Sequence, residues 1–143
     1  MSKYGRRGKK IDANHNEICL ALGKAGYSVA DLSAVGGGVV DILVGTGKEN
    51  ILLEIKTPTG KLARHQIEFV ANWKGLSAFV SSAEDAIRIC RNPHELCLTA
   101  KQKIKLLGFL QRWESDRKKG QPEITVAVFD KKCAELFGGQ EEK

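Results

Sequence analysis

The stretch GGGVVDILVGTGKENILLEIKTPTGKLARHQIEF, residues 36–69, decides the fold. Its segments VVDILV (39–44) and ILLEI (51–55) are dense in β-branched residues and Leu, the composition of strands. Gly45-Thr46-Gly47-Lys48-Glu49-Asn50 between them is polar and glycine-bearing, so the pair reads as a hairpin. Strands covered on both faces are near-continuous apolar runs. Two acids interrupt these runs, Asp41 and Glu54. Lys56 follows Glu54 by two residues and shares its face, because alternate strand residues point to the same side. Ile51, Leu53 and Ile55 then point the other way, into the core. A hairpin that sets Asp41 across from this region brings two carboxylates and an ammonium to one end of the sheet. Such a pair is costly unless a cation lies between the acids. Oxygen donors of this kind suit Mg²⁺ or Mn²⁺. The ion would polarise a phosphodiester and acidify a bound water, and Lys56 would orient that water or neutralise the phosphorane. An ordinary ion pair at a sheet end has the same composition.

Outward from this hairpin, Asp12 reads as the cap of a helix to about Ala25, with Ile18, Cys19, Leu22 and Ala25 on one face, ended by Gly26. Tyr27 to Leu32 alternates as a short strand. Gly36-Gly37-Gly38 is a break through which a backbone could pass closely. Pro58 and Gly60 interrupt the chain after the hairpin. Leu62 to Lys74 has helical spacing, with Leu62, Gln66, Phe69 and Trp73 near one stripe. Ser77 to Ser81 reads as a strand, and Ser82 with Asp85 as the opening of a helix through Ile89. Beyond Asn92-Pro93, Thr99 caps a basic helix to about Lys119, with Ile104, Leu107 and Leu110 or Gln111 at helical spacing. Gly120-Gln121-Pro122 stops it; a weak strand (124–129) and a short helix (130–137) follow.

The order is thus helix, three strands, helix, strand, with a helical extension. The chain divides into a basic flexible arm (1–10), a core (11–92) and a basic helical extension (93–143). Its 143 residues suffice for one domain, and 42% hydrophobic content excludes both disorder and a disulfide-dependent miniature fold. The net charge of +6 is uneven. Residues 1–10 carry Lys3, Arg6, Arg7, Lys9 and Lys10 and no acid, whereas residues 11–100 are slightly acidic. That layout suits phosphate binding, and it equally suits a solvated terminus. No apolar run reaches the length of a membrane span, and no apolar stretch follows the basic opening. The expectation is therefore a cytoplasmic protein whose scattered Cys19, Cys90, Cys97 and Cys133 are free thiols. Cys90, His94, Cys97 and Cys133 do not have a usual zinc spacing. His15 and His65 read as surface histidines. Thr57, Thr59 and Lys61 lie where phosphate contacts would be useful, or in a solvated turn.

The quoted stretch resembles the core of PD-(D/E)XK nucleases, in particular the VRR-NUC group, over about residues 11–90. The resemblance implies a restriction-endonuclease-like α/β fold and a small phage- or prophage-encoded nuclease of the bacterial cytoplasm, similar to Holliday-junction resolvases. It implies Asp41 as the motif acid, with Glu54 and Lys56 as the E-x-K pair. Glu17 matches a further carboxylate, the Ile55 carbonyl a metal ligand, and Gln66 a glutamine near the metal. Val40 stands where the family usually has Pro, and a strand-forming residue there keeps the acid in place. The expected activity is Mg²⁺- or Mn²⁺-dependent hydrolysis of DNA phosphodiesters by a homodimer, structure-specific for branched DNA or junctions. DNA contacts fall to Lys3, Arg6, Arg7, Lys9, Lys10 and Lys61. The alternatives are a non-catalytic DNA-binding or phage regulatory protein on a nuclease fold, and a module that binds a phage or host replication or recombination protein.

Overall fold

A computed structural model of the chain describes residues 14–57, 63–117 and 131. The basic arm with Lys3, Arg6, Arg7, Lys9 and Lys10, the loop residue Lys61, Cys133 and, residue 131 apart, the expected elements over 124–137 lie outside the described residues.

The protein is a mixed α/β structure. Helix α1 (His15–Lys24) leads into β1 (Ser28–Asp31), β2 (Ile42–Gly45) and β3 (Asn50–Ile55). Helix α2 (Arg64–Asn72), β4 (Leu76–Val80), α3 (Ala83–Arg91), the single turn α4 (Pro93–Leu96) and α5 (Ala100–Arg117) follow. The sheet order is β1-β2-β3-β4. The first three strands are an antiparallel meander, and β4 runs parallel to β3 after the α2 crossover.

Residues 51–55 are all buried, because helices cover both faces of the sheet. On one face Ile42, Val44, Ile51, Leu53 and Ile55 pack against Ile18 and Leu22 of α1 and Ala86, Ile89 and Cys90 of α3. On the other, Val40 and Leu52 meet Val70 of α2. Ile67 and Ala71 of α2 in turn bury Leu106, Phe109 and Leu110 of α5. Glu54 alternates with Leu53 and Ile55, so it belongs to the α2 face.

Several expectations shift. α1 begins at His15 after Asn14. The first strand ends at Asp31 and the second starts at Ile42, so Leu32, Val39 and Val40 lie outside the strands. The buried residues of α2 are Gln66, Ile67, Val70 and Ala71, and Trp73 is largely exposed. Of the expected stripe, Gln66 is buried and Phe69 half-buried against Val40, Leu52 and Val70, whereas Trp73 leaves it because α2 ends at Asn72 and Trp73 is already extended. On α5 the buried set is Lys103, Leu106, Phe109 and Leu110, while Ile104 is exposed. His15 is buried and bonds Asp31 through Nε2 at 3.2 Å, so it is no surface residue. The Ser82 cap is present, its Oγ accepting from Asp85 N at 3.1 Å. Thr99 and Gln102 cap each other at the head of α5: Thr99 N donates to Gln102 Oε1 at 2.8 Å and Gln102 N to Thr99 Oγ1 at 3.1 Å.

Candidate functional site

The last β2–β3 pair is Ile42 with Leu53. One step further in that register sets Asp41 across from Glu54. Directly opposed residues of an antiparallel pair share a face, with Cβ atoms about 4.5–5.5 Å apart. Asp41 itself stands just outside the ladder, so its carboxylate is placed by its bond to the Ile55 N–H, next in the chain to Glu54. Both acids are buried, Asp41 at 5% exposure and Glu54 at 1%.

Each is held by the local fold. The β2–β3 ladder stops at Ile42, so the Ile55 N–H turns to a side-chain acceptor: it donates to Asp41 Oδ2 at 2.8 Å. A buried N–H needs such a partner. The Asp41 carbonyl meanwhile accepts from Leu32 N at 2.7 Å, which fixes the approach from β1. Gln66, in the first turn of α2, donates from Nε2 to Glu54 Oε1 at 2.8 Å and accepts the Ala63 N–H on Oε1 at 2.9 Å. That second bond satisfies one of the open donors at the helix start. Gln66 thus links the cap of α2 to the carboxylate on β3. Lys56, just past β3, places Nζ 3.9 Å from Glu54 Oε1, with its side chain mostly buried.

Five of the expected residues, Asp41, Glu54, Ile55, Lys56 and Gln66, meet at this end of the sheet. Glu17 stands apart from these contacts, exposed in the first turn of α1. Among the described residues, no three His, Cys, Asp or Glu side chains form a group that could hold a metal ion. The oxygen donors adjacent here are the carboxylates of Asp41 and Glu54, with the Ile55 carbonyl beside them in sequence. That set is of the hard type that Mg²⁺ and Mn²⁺ accept, completed by water.

Asn14 was not foreseen. Its Nδ2 donates to Ser81 O at 2.7 Å and reaches Lys56 O at 3.5 Å, tying the start of α1 to the ends of β3 and β4. Its Oδ1 is buried with no hydrogen-bond partner among the described residues. An Asn directly before the apolar-periodic run of α1 is itself a cap signal, and Asp12, two residues earlier, obscured it.

The thiols are sequestered. Cys90 and Cys97 are buried, and burial pushes each up to about 11. His94 is exposed, its Nε2 2.5 Å from Glu49 Oε1 on the hairpin. No helix among the described residues is long and apolar enough to cross a membrane. Comparison with family models, with curated proteins and with solved structures finds no match to this chain.

Proposed function

We propose that the chain is a metal-dependent endonuclease that hydrolyses DNA phosphodiesters. The observation that carries the reading is the meeting of two buried acids, Glu54 on β3 and Asp41 just ahead of β2 and bonded to the Ile55 N–H, with Lys56 3.9 Å from Glu54 and Gln66 bonded to it. Two acids facing each other in a desolvated place are expensive as scaffold. They are useful where a divalent cation and a phosphate are to be held. The antiparallel meander, with a fourth strand parallel to the third, supports a restriction-endonuclease-like core.

In this reading Asp41, Glu54 and the Ile55 carbonyl hold Mg²⁺ or Mn²⁺, which supplies Lewis-acid polarisation of the phosphate and an acidified water. The Ile55 N–H keeps the Asp41 carboxylate aimed, and Gln66 does the same for Glu54. Lys56 orients the attacking water and stabilises the charge that grows on the phosphoryl oxygens. The place of Glu17 in the metal set rests on the family resemblance alone. So do the homodimer, the preference for branched DNA and the phage-associated bacterial setting.

The test is incubation of labelled junction, flap and duplex DNA with the protein in Mg²⁺, Mn²⁺ or EDTA. Metal-dependent nicking is expected, abolished in Lys56→Ala while DNA binding survives, because Lys56 acts mainly on the transition state. Binding without nicking in any metal would favour a non-catalytic DNA-binding protein. Wild-type cleavage by Lys56→Ala would overturn the site assignment.

A further inference from the structure

The outer side of α2 carries a groove of about 370 Å³ between that helix and the glycine loop ahead of Asp41. Phe69 and Trp73 form one wall. Their rings stack with centroids 5.9 Å apart and planes within 13°. Trp73 stays 42% exposed, an unusual cost for so large an apolar ring. The indole also lies close against the chain at Gly75. Gly75 seats it so closely that a Cβ there would lie 2.7 Å from Nε1. The Trp73 carbonyl accepts from Lys103 Nζ, which also donates to Gly75 O at 2.8 Å.

The facing wall has no side chains where Gly37 and Gly38 line it. Gly36, Gly37 and Gly38 all take positive φ, +73°, +66° and +83°. Any other residue would be strained there and would narrow the slot. At Gly38 a Cβ would stand 3.3 Å from the His65 ring. The chain keeps the slot near the carboxylates: three residue steps, a reach of about 11 Å at most, separate Gly38 from Asp41, and His65 directly precedes Gln66.

An exposed aromatic pair beside a backbone stretch without side chains, in a slot that Glu68 and Asn72 also line, accepts a flat π-system. We propose that this slot takes one unpaired nucleobase of the strand whose phosphate lies at Asp41 and Glu54. The proposal rests on the nuclease reading and narrows its substrate to nucleic acid with an unpaired nucleotide beside the cut. A base inside a duplex has both faces covered by its neighbours and offers none to Trp73, whereas an unpaired base stacks without sequence preference.

Wild-type protein in EDTA is titrated with a DNA oligonucleotide carrying 2-aminopurine, either single-stranded or fully paired. Quenching of the unpaired probe, absent with the duplex, is expected. In a Trp113→Phe background, leaving Trp73 as the sole tryptophan, the same oligonucleotide should quench the protein emission. The affinity ratio of unpaired to paired DNA should fall about tenfold in Trp73→Leu and recover in Trp73→Phe. No quenching, or an unchanged ratio in a folded Trp73→Leu protein, would overturn the proposal. Trp73 emission that changes with protein concentration and not with DNA would assign the slot to a second copy, and would also overturn it. Quenching without cleavage of any DNA in Mg²⁺ would remove the nuclease reading and leave the slot. Cleavage with no dependence on Trp73 would remove the slot and leave the nuclease.

Discussion

Asp41 has two separable tasks, an acceptor for the Ile55 N–H and a charge beside Glu54. Substitution separates them. In Asp41→Asn an amide oxygen can still accept from Ile55, and one of the facing charges is gone. Stability in EDTA should therefore stay close to wild type or rise. Millimolar Mg²⁺ should raise the Tm of the wild type by mass action and leave the variant unmoved. A scaffold ion pair predicts the opposite, a loss of roughly 3–5 kcal/mol without a metal response. In Asp41→Ala the Ile55 N–H loses its acceptor, at a cost of about 1–3 kcal/mol. Gln66→Leu removes two bonds at once, the donor to Glu54 Oε1 and the acceptor of the Ala63 N–H. Urea unfolding should show it less stable by about 2–3 kcal/mol, while the apolar volume at the site is kept.

Among the elements, α5 owes its position to an apolar strip and one cation. Leu106, Phe109 and Leu110 pack on Ile67 and Ala71 of α2. Buried Lys103 donates to the carbonyls of Trp73 and Gly75 in the α2–β4 turn, and burial holds its pKa below the usual lysine value. Lys103→Met keeps much of the packing and leaves those two carbonyls without this donor. It should cost about 1.5–3 kcal/mol, the range for hydrogen bonds to charged groups. Amide exchange should accelerate along α5 ahead of the sheet. The existence of α5 was readable from Thr99 and the helical spacing. Its orientation was not, because Ile104 is as apolar as Leu106 and only the α2 surface chooses between them. A lysine as the buried member of the face runs against any hydrophobicity pattern, and the turn carbonyls that reward it come from residues far away in sequence.

At the scale of the whole molecule, two predictions follow from what is hidden and from net charge. Cys90 and Cys97 ionise near 9.0 in the open chain and about 11 when folded. Because the folded value is the higher, their stabilisation is complete below pH 9 and is lost as pH climbs from 9 to 11. The loss should be about 2–3 kcal/mol per thiol, from 1.36 kcal/mol per pKa unit. Denaturation between pH 8 and 11 should show a steeper alkaline decline in the wild type than in the Cys90→Ala, Cys97→Ala double variant, whose neutral-pH stability is lower for lack of packing. Five of the bases behind the net charge of +6 lie in residues 1–10. If all five meet phosphates, deleting the segment should flatten the log–log salt dependence of duplex binding by up to about 4–5 units. An unchanged slope would make it a solvated terminus.

The sequence by itself determined the order of elements and the chemistry of one end of the sheet. Apolar runs specify strands locally, and the odd acids in VVDILV and ILLEI stand out because they break that local rule. Period-two alternation then put Glu54 and Lys56 on one face. Only the tertiary structure decided what those acids meet. The ladder ends at Ile42, so Asp41 takes the Ile55 N–H, and α2 docks so that Gln66 reaches Glu54. Trp73, past the end of α2, is left exposed while Phe69 stays half-buried against Val40, Leu52 and Val70, and the packing of α1 on β1 buries His15 against Asp31. Which face of a helix is buried is settled by the surface it lands on. That surface is assembled from strands distant along the chain, so a helix's own residues can narrow the choice and not make it.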